Sequence, residues 1–83
     1  MAQLPEQIPN PPTVTARAAG DAVKLSWKSK GVSTAVYRVE DGKTLLVATQ
    51  RGGDGEWSGK SGTYCVTALD RSWNESAPAI PAG

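Results

Sequence analysis

The stretch Val23-Lys24-Leu25-Ser26-Trp27-Lys28 alternates apolar and polar side chains without a break. Successive side chains of an extended chain point to opposite faces, so these residues predict a strand with Val23, Leu25 and Trp27 on a buried face. Upstream, Val14, Ala16 and Ala18 alternate with Thr13, Thr15 and Arg17, and Gly20-Asp21 supplies turn chemistry between the two runs. A hairpin is expected. Downstream, Ala35, Tyr37 and Val39 alternate with Val36, Arg38 and Glu40 and run into Asp41-Gly42. Such a dipeptide favours a type I′ turn, which needs positive φ at both central positions. Residues 45–49 then return as a fourth strand.

Residues 50–62 hold five of the nine glycines and read as a loop, with a short strand over 56–58 as the only order expected inside it. Tyr64, Val66 and Ala68 alternate with Cys65, Thr67 and Leu69 to give a further strand. A last short strand is expected to begin near Ser76, confined by Pro78 and Pro81 to an edge or to irregular pairing. Nowhere does a 3.6-residue period persist. Seven short, evenly spaced antiparallel strands predict an all-β sandwich.

Composition narrows the function. The 83 residues are 39% hydrophobic and 20% charged, with 9 Lys and Arg against 8 Asp and Glu, and contain no His, no Phe and one Cys. Without His, the commonest general base and zinc ligand is missing. One Cys forms no internal disulfide and has no His to activate it. A net charge of +1 lacks the basic excess of a phosphate-backbone binder. No apolar run approaches the ~20 residues that span a membrane. No nucleic acid, membrane, cofactor or metal is expected as a partner, and a monomer is.

Residues 1–10 are rich in proline and read as a linker or tail, with the domain over 11–83. The far end, around Pro78 and Pro81, is similar in composition. Bracketing of this kind predicts a unit that lies between neighbouring domains of a longer chain.

The landmarks Pro11-Pro12, Leu25-Ser26-Trp27, Tyr37-Arg38-Val39, Thr63-Tyr64-Cys65-Val66-Thr67-Ala68-Leu69-Asp70 and Asn74-Glu75-Ser76-Ala77-Pro78 resemble, in this order, a fibronectin type III domain. The resemblance implies an immunoglobulin-like sandwich of seven antiparallel strands, three against four. It also implies a core tyrosine at Tyr64, whose hydroxyl in related sandwiches bonds nearby backbone. The core is expected to hold Leu25, Trp27, Tyr37, Val39, Tyr64 and Val66. Residues 67–76 are similar to type III modules appended to bacterial exported enzymes, including glycoside-hydrolase-like proteins. That similarity implies an extracellular or cell-envelope accessory module in a protein that acts on polysaccharide, with no catalysis of its own.

Several motifs compete with that reading. Gly59-Lys60-Ser61 resembles the end of a phosphate-binding loop, but Asp54 replaces its first glycine and a strand, not a helix, is expected to follow. Arg51-Gly52-Gly53-Asp54 differs from the integrin-binding tripeptide by an inserted glycine and lies before the penultimate strand, so a glycine loop is expected. Glu40-Asp41 and Asp54/Glu56 are close acidic pairs without a substrate cleft between them, and read as solvated turn charges. Lys24, Lys28 and Lys30 read as a solvated strand face. Asn74-Glu75-Ser76 matches the N-glycosylation pattern, and Cys65 points away from Tyr64 and Val66. Trp57 and Trp73 lie near loops. In a chain without Phe each is expected to cap one end of the core; the alternative is a pair of exposed rings that stack on sugar or contact a protein.

Overall fold

A computed structural model describes residues 9–81, so part of the proline-rich segment 1–10 and residues 82–83 lie outside the described residues. Six strands follow one another in the chain: β1 (Thr13–Ala19), β2 (Ala22–Lys28), β3 (Ser33–Glu40), β4 (Lys43–Arg51), β5 (Gly55–Lys60) and β6 (Thr63–Leu69). They form two antiparallel sheets ordered β1-β2-β5 and β4-β3-β6. An all-β sandwich is what the alternating runs predict. Asp41 and Gly42 both have positive φ, 51° and 74°, as the type I′ geometry requires.

The core lies where the two sheets face each other. Val14, Leu25 and Trp27 from the first sheet meet Val36, Tyr64 and Val66 from the second. Burial of each such apolar side chain contributes about 1.5–3 kcal/mol. Leu25, Trp27, Tyr64 and Val66 therefore sit where the sequence places them. Tyr37 and Val39 do not. Val39 is 37% exposed and Tyr37 only half-buried, because β3 turns Thr34, Val36 and Arg38 inward and leaves Ala35, Tyr37 and Val39 on the outer face. Alternation groups side chains by face, and the cross-strand partners decide which face is inside. Val36 stands opposite Val66, and Arg38 stands opposite Tyr64.

The glycine-rich stretch is more ordered than its composition suggests. β5 occupies residues expected to be mostly loop, because its inward positions are Gly55, Trp57 and Gly59. A Cβ on Gly55 would come within 2.8 Å of the Trp27 ring, and one on Gly59 would collide with the Trp57 ring. The two indoles cover the glycines and replace the side-chain packing those residues lack.

The seventh strand is reduced to two isolated bridges, Leu69 with Glu75 and Val66 with Ala79. Ser76 N–H reaches Ala68 O at 2.8 Å, and Val66 and Ala79 exchange bonds of 3.0 and 2.8 Å. Pro78 has no N–H to donate, so the ladder breaks between these contacts. Six strands with a bridged edge thus replace the seven expected.

Candidate functional site

The structure separates the two tryptophans singled out above. Trp57 turns inward from β5, and its ring packs 5.0 Å from that of Tyr64 at an interplanar angle of 59°. Trp73 is 76% exposed. The two rings therefore form no common platform, and the expectation that Trp73 caps the core is corrected. Its backbone explains the difference. Asp70 Oδ1 accepts the N–H groups of Ser72 and Asn74 at 2.8 and 2.9 Å, and Asp70 O accepts that of Trp73 at 3.2 Å. This closed turn places Trp73 at φ 64°, a conformation rarely adopted by a bulky residue, and directs it away from the core. The Asn74 side chain, with its backbone N–H second, holds the Asp70 carboxyl below its ordinary range.

Trp73 forms one wall of a cleft of about 450 Å³ on the outer face of the β4-β3-β6 sheet. Ala35 and Leu69 line it, Leu46 and Tyr37 contribute apolar surface, and Arg51 adds a cation. Neither Leu46 nor Tyr37 stands out in the sequence as a surface residue, although their neighbours on one strand face would have placed them together once that face was known to be outside. The Tyr37 hydroxyl donates to Glu75 Oε2 at 2.5 Å, and the Thr67 hydroxyl donates to the same oxygen at 2.6 Å. The bond to Glu75, followed by burial, pushes the Tyr37 phenol up from its usual value. Cys65 lies buried between these groups beside Ser76 and Pro78. Burial first, and then the charge of Glu75, push its thiol up, opposite to what a reactive thiolate requires.

The remaining motifs are absorbed by packing. Asp54 Oδ1 accepts Ser29 N–H at 3.1 Å, and Gly52 N–H reaches Val32 O at 2.7 Å, so the Arg51–Asp54 turn is tied to the β2–β3 connection. Gly52 has φ 95°, and Gly53 lies against the Ser29 carbonyl where a Cβ would not fit. Lys60 ends β5, and β6 follows it in place of the helix a phosphate loop needs. Lys24 pairs with Glu56 at 2.6 Å, an exposed pair contributing about 0–1 kcal/mol. Arg38 and Glu40 are 3.7 Å apart. The Asn74 side-chain amide donates to Asp70 Oδ2 at 3.0 Å. Among the described residues, no group of three or more His, Cys, Asp or Glu could hold a metal ion.

No protein-family model matches the sequence, and no curated protein matches it. The fold does have solved counterparts. The crystal structure of FN3tt, a fibronectin type III design, superimposes with a TM-score of 0.68 at 15% identity, over 94% of this chain and 95% of that one. The fold is therefore fibronectin type III-like.

Proposed function

We propose that this domain is a non-catalytic spacer that fixes the distance and orientation of neighbouring domains in a larger bacterial exported protein acting on polysaccharide. One geometric observation carries the reading. β1 begins at the pole where Thr13 faces Lys28, and Leu69 lies at that same pole, opposite Ser33. From Glu75 beside Leu69 to Ala79 beside Val66, the chain runs toward the other pole. The chain thus enters a sheet-stiffened body at one pole and, by Ala79, has run along β6 to its middle, heading toward the other. Prolines at 11 and 12, and again at 78 and 81, stiffen both exits.

Spin labels at Asn10→Cys and Ile80→Cys, in a Cys65→Ala background, test the mechanical part directly. A rigid spacer gives one narrow interlabel distance distribution. A broad or multimodal distribution at both high and low salt would sink the proposal.

The exposed ring of Trp73 favours a second reading, a module that contacts carbohydrate or protein through that residue without Trp57, whose ring is packed against Tyr64. Titration with several glycans, followed by indole fluorescence, tests the sugar form. A saturable response abolished by Trp73→Ala supports it, and silence across the glycans removes it.

A further inference from the structure

Packing does not account for Trp73. Its ring is 76% exposed, and its backbone sits at φ 64°, where a bulky residue is strained and glycine is at ease. Strain of this kind persists only where the surroundings enforce it, and it collects at ligand-holding positions. Here the Asp70 turn enforces it. A second hollow of about 400 Å³ adjoins the cleft described above, and Trp73, Arg51 and Ser33 line both. Arg71 joins them in the second. Neither arginine forms an ion pair among the described residues. The nearby carboxylates are already engaged: both Asp70 oxygens accept N–H groups of their own loop, and Glu75 reaches the Tyr37 and Thr67 hydroxyls beside a different hollow. Two cations without a carboxylate partner therefore flank the exposed ring.

We propose that the Trp73 cleft binds a uronic acid unit of an acidic glycan, with the indole stacked on the sugar ring and Arg51 holding the carboxylate; this rests on the reading of Trp73 as a carbohydrate contact. The chemistry of the lining selects the occupant. β3 forms the floor and is hydrogen-bonded to β4 on one side and to β6 on the other, so an extended peptide finds no free main chain there. What the face offers is side chains: an indole plane, the hydroxyls of Ser33 and Thr49, and the Arg51 guanidinium in the same cross-strand row as Ser33. A flat apolar face suits the indole, ring hydroxyls suit Ser33 and Thr49, and a carboxylate matches the guanidinium fork with two parallel bonds. A pyranose uronic acid carries all three on one ring. A neutral sugar leaves both arginines without a counter-charge, and an aliphatic carboxylate leaves the hydroxyls without partners.

The probes are trigalacturonate and trimannuronate, each beside its methyl ester, which keeps the rings and removes the charge, with cellotriose as a neutral arm. The Trp73 indole N–H resonance should shift saturably with at least one free acid. By calorimetry that acid should bind about tenfold more tightly than its ester at low salt, the gain of one charge-assisted contact, and the gap should close at high salt. Arg51→Gln should bring acid and ester level. Trp73→Gly, which suits the positive φ, should fold with an unchanged or raised Tm and bind neither. Equal affinity of the wild-type protein for acid and ester, or a preference that survives Arg51→Gln, overturns the uronic acid assignment, while Trp73-dependent binding of an ester or of cellotriose upholds the carbohydrate reading. Silence toward every probe removes both. Shifts confined to the Lys24 and Lys28 face, or self-association through Trp73 that the acids do not disperse, also overturn the assignment.

Discussion

The Tyr64 hydroxyl donates to the main-chain carbonyl of Lys60 four residues earlier, across the corner where β5 gives way to β6. The same oxygen accepts Arg38 Nη1 at 3.2 Å, and the Arg38 guanidinium lies 5.7 Å from the ring centre. One buried phenol thus ties the corner of one sheet to a side chain of the other. A hydroxyl bonded to backbone at this corner is the arrangement found in immunoglobulin-like sandwiches. Tyr64→Phe keeps the ring and removes both bonds. It should cost about 1–3 kcal/mol in urea unfolding with little change in the slope. A loss below a few tenths would mean that the corner bond carries no stability.

The glycine seats under the indoles make an opposite kind of prediction, one of excess volume. Gly59→Ala adds a single methyl against the Trp57 ring. Overpacking of this sort costs about 1–3 kcal/mol, and an equal change at solvent-exposed Ser58 should cost far less. Thermal melts of the two variants decide between packing and simple strand propensity, which would favour alanine over glycine.

Thr34 is fully buried, and its hydroxyl has no hydrogen-bond partner among the described residues. Thr34→Val preserves the branched shape and removes the unpaired polar group. The variant should be more stable by about 1 kcal/mol. Destabilisation in a denaturant titration would show that the hydroxyl is satisfied in solution.

The Asp70 turn should respond to acid in a defined direction. Its carboxyl is depressed by bonds that exist only in the folded loop, first from the Asn74 side chain and then from the Asn74 and Ser72 backbones. A depressed acid stabilises the fold above its unfolded pKa, near 3.9, and that contribution is lost as pH falls through the lower folded value. The Trp73 indole resonance should therefore hold constant from neutral pH to about 4 and shift below it. Asp70→Asn should remove the transition; a wild-type Trp73 signal flat down to pH 2 would refute the coupling.

Cys65 should be slow to alkylate at neutral pH and fast once the chain is unfolded. Its thiol is pushed up by burial and by Glu75, so the thiolate is scarce as well as covered. Glu75→Gln removes the charge and leaves the burial, and should accelerate native-state labelling only modestly. Rapid labelling of the native wild-type protein would contradict the buried placement.

The fold was legible where one residue pattern had one physical meaning. Asp41-Gly42 announced its turn because positive φ at both positions suits few dipeptides, and the alternation in β2 and β6 identified the inward faces through Leu25, Trp27, Tyr64 and Val66. In β3 the same rule grouped the side chains correctly but reversed the face, because Thr34 and Arg38 are poor hydrophobes and their inward role depends on partners in β6. β5 was hidden for a different reason. Glycine signals a loop to local reading, and only the rings of Trp27 and Trp57, one of them from another strand, give Gly55 and Gly59 a place in a sheet. The exposure of Trp73 rests on bonds from main-chain N–H groups to the Asp70 carboxylate and carbonyl within residues 70–74, which composition does not encode. The open edge of β4 was equally hidden: an uncharged run marks a strand, but neighbours in space decide whether it is central or terminal.

The three indoles occupy three unlike environments: Trp27 in the core, Trp57 at its margin against Tyr64, and Trp73 in solvent at the pole where the chain enters. The protein therefore carries its own set of optical reporters. Single Trp→Phe substitutions at 57 and 73 would let the global unfolding seen by Trp27 be followed separately from loosening of the β5 margin and from events at the pole. A ligand, an attached domain or a loop transition would then announce its location by which emission it changes.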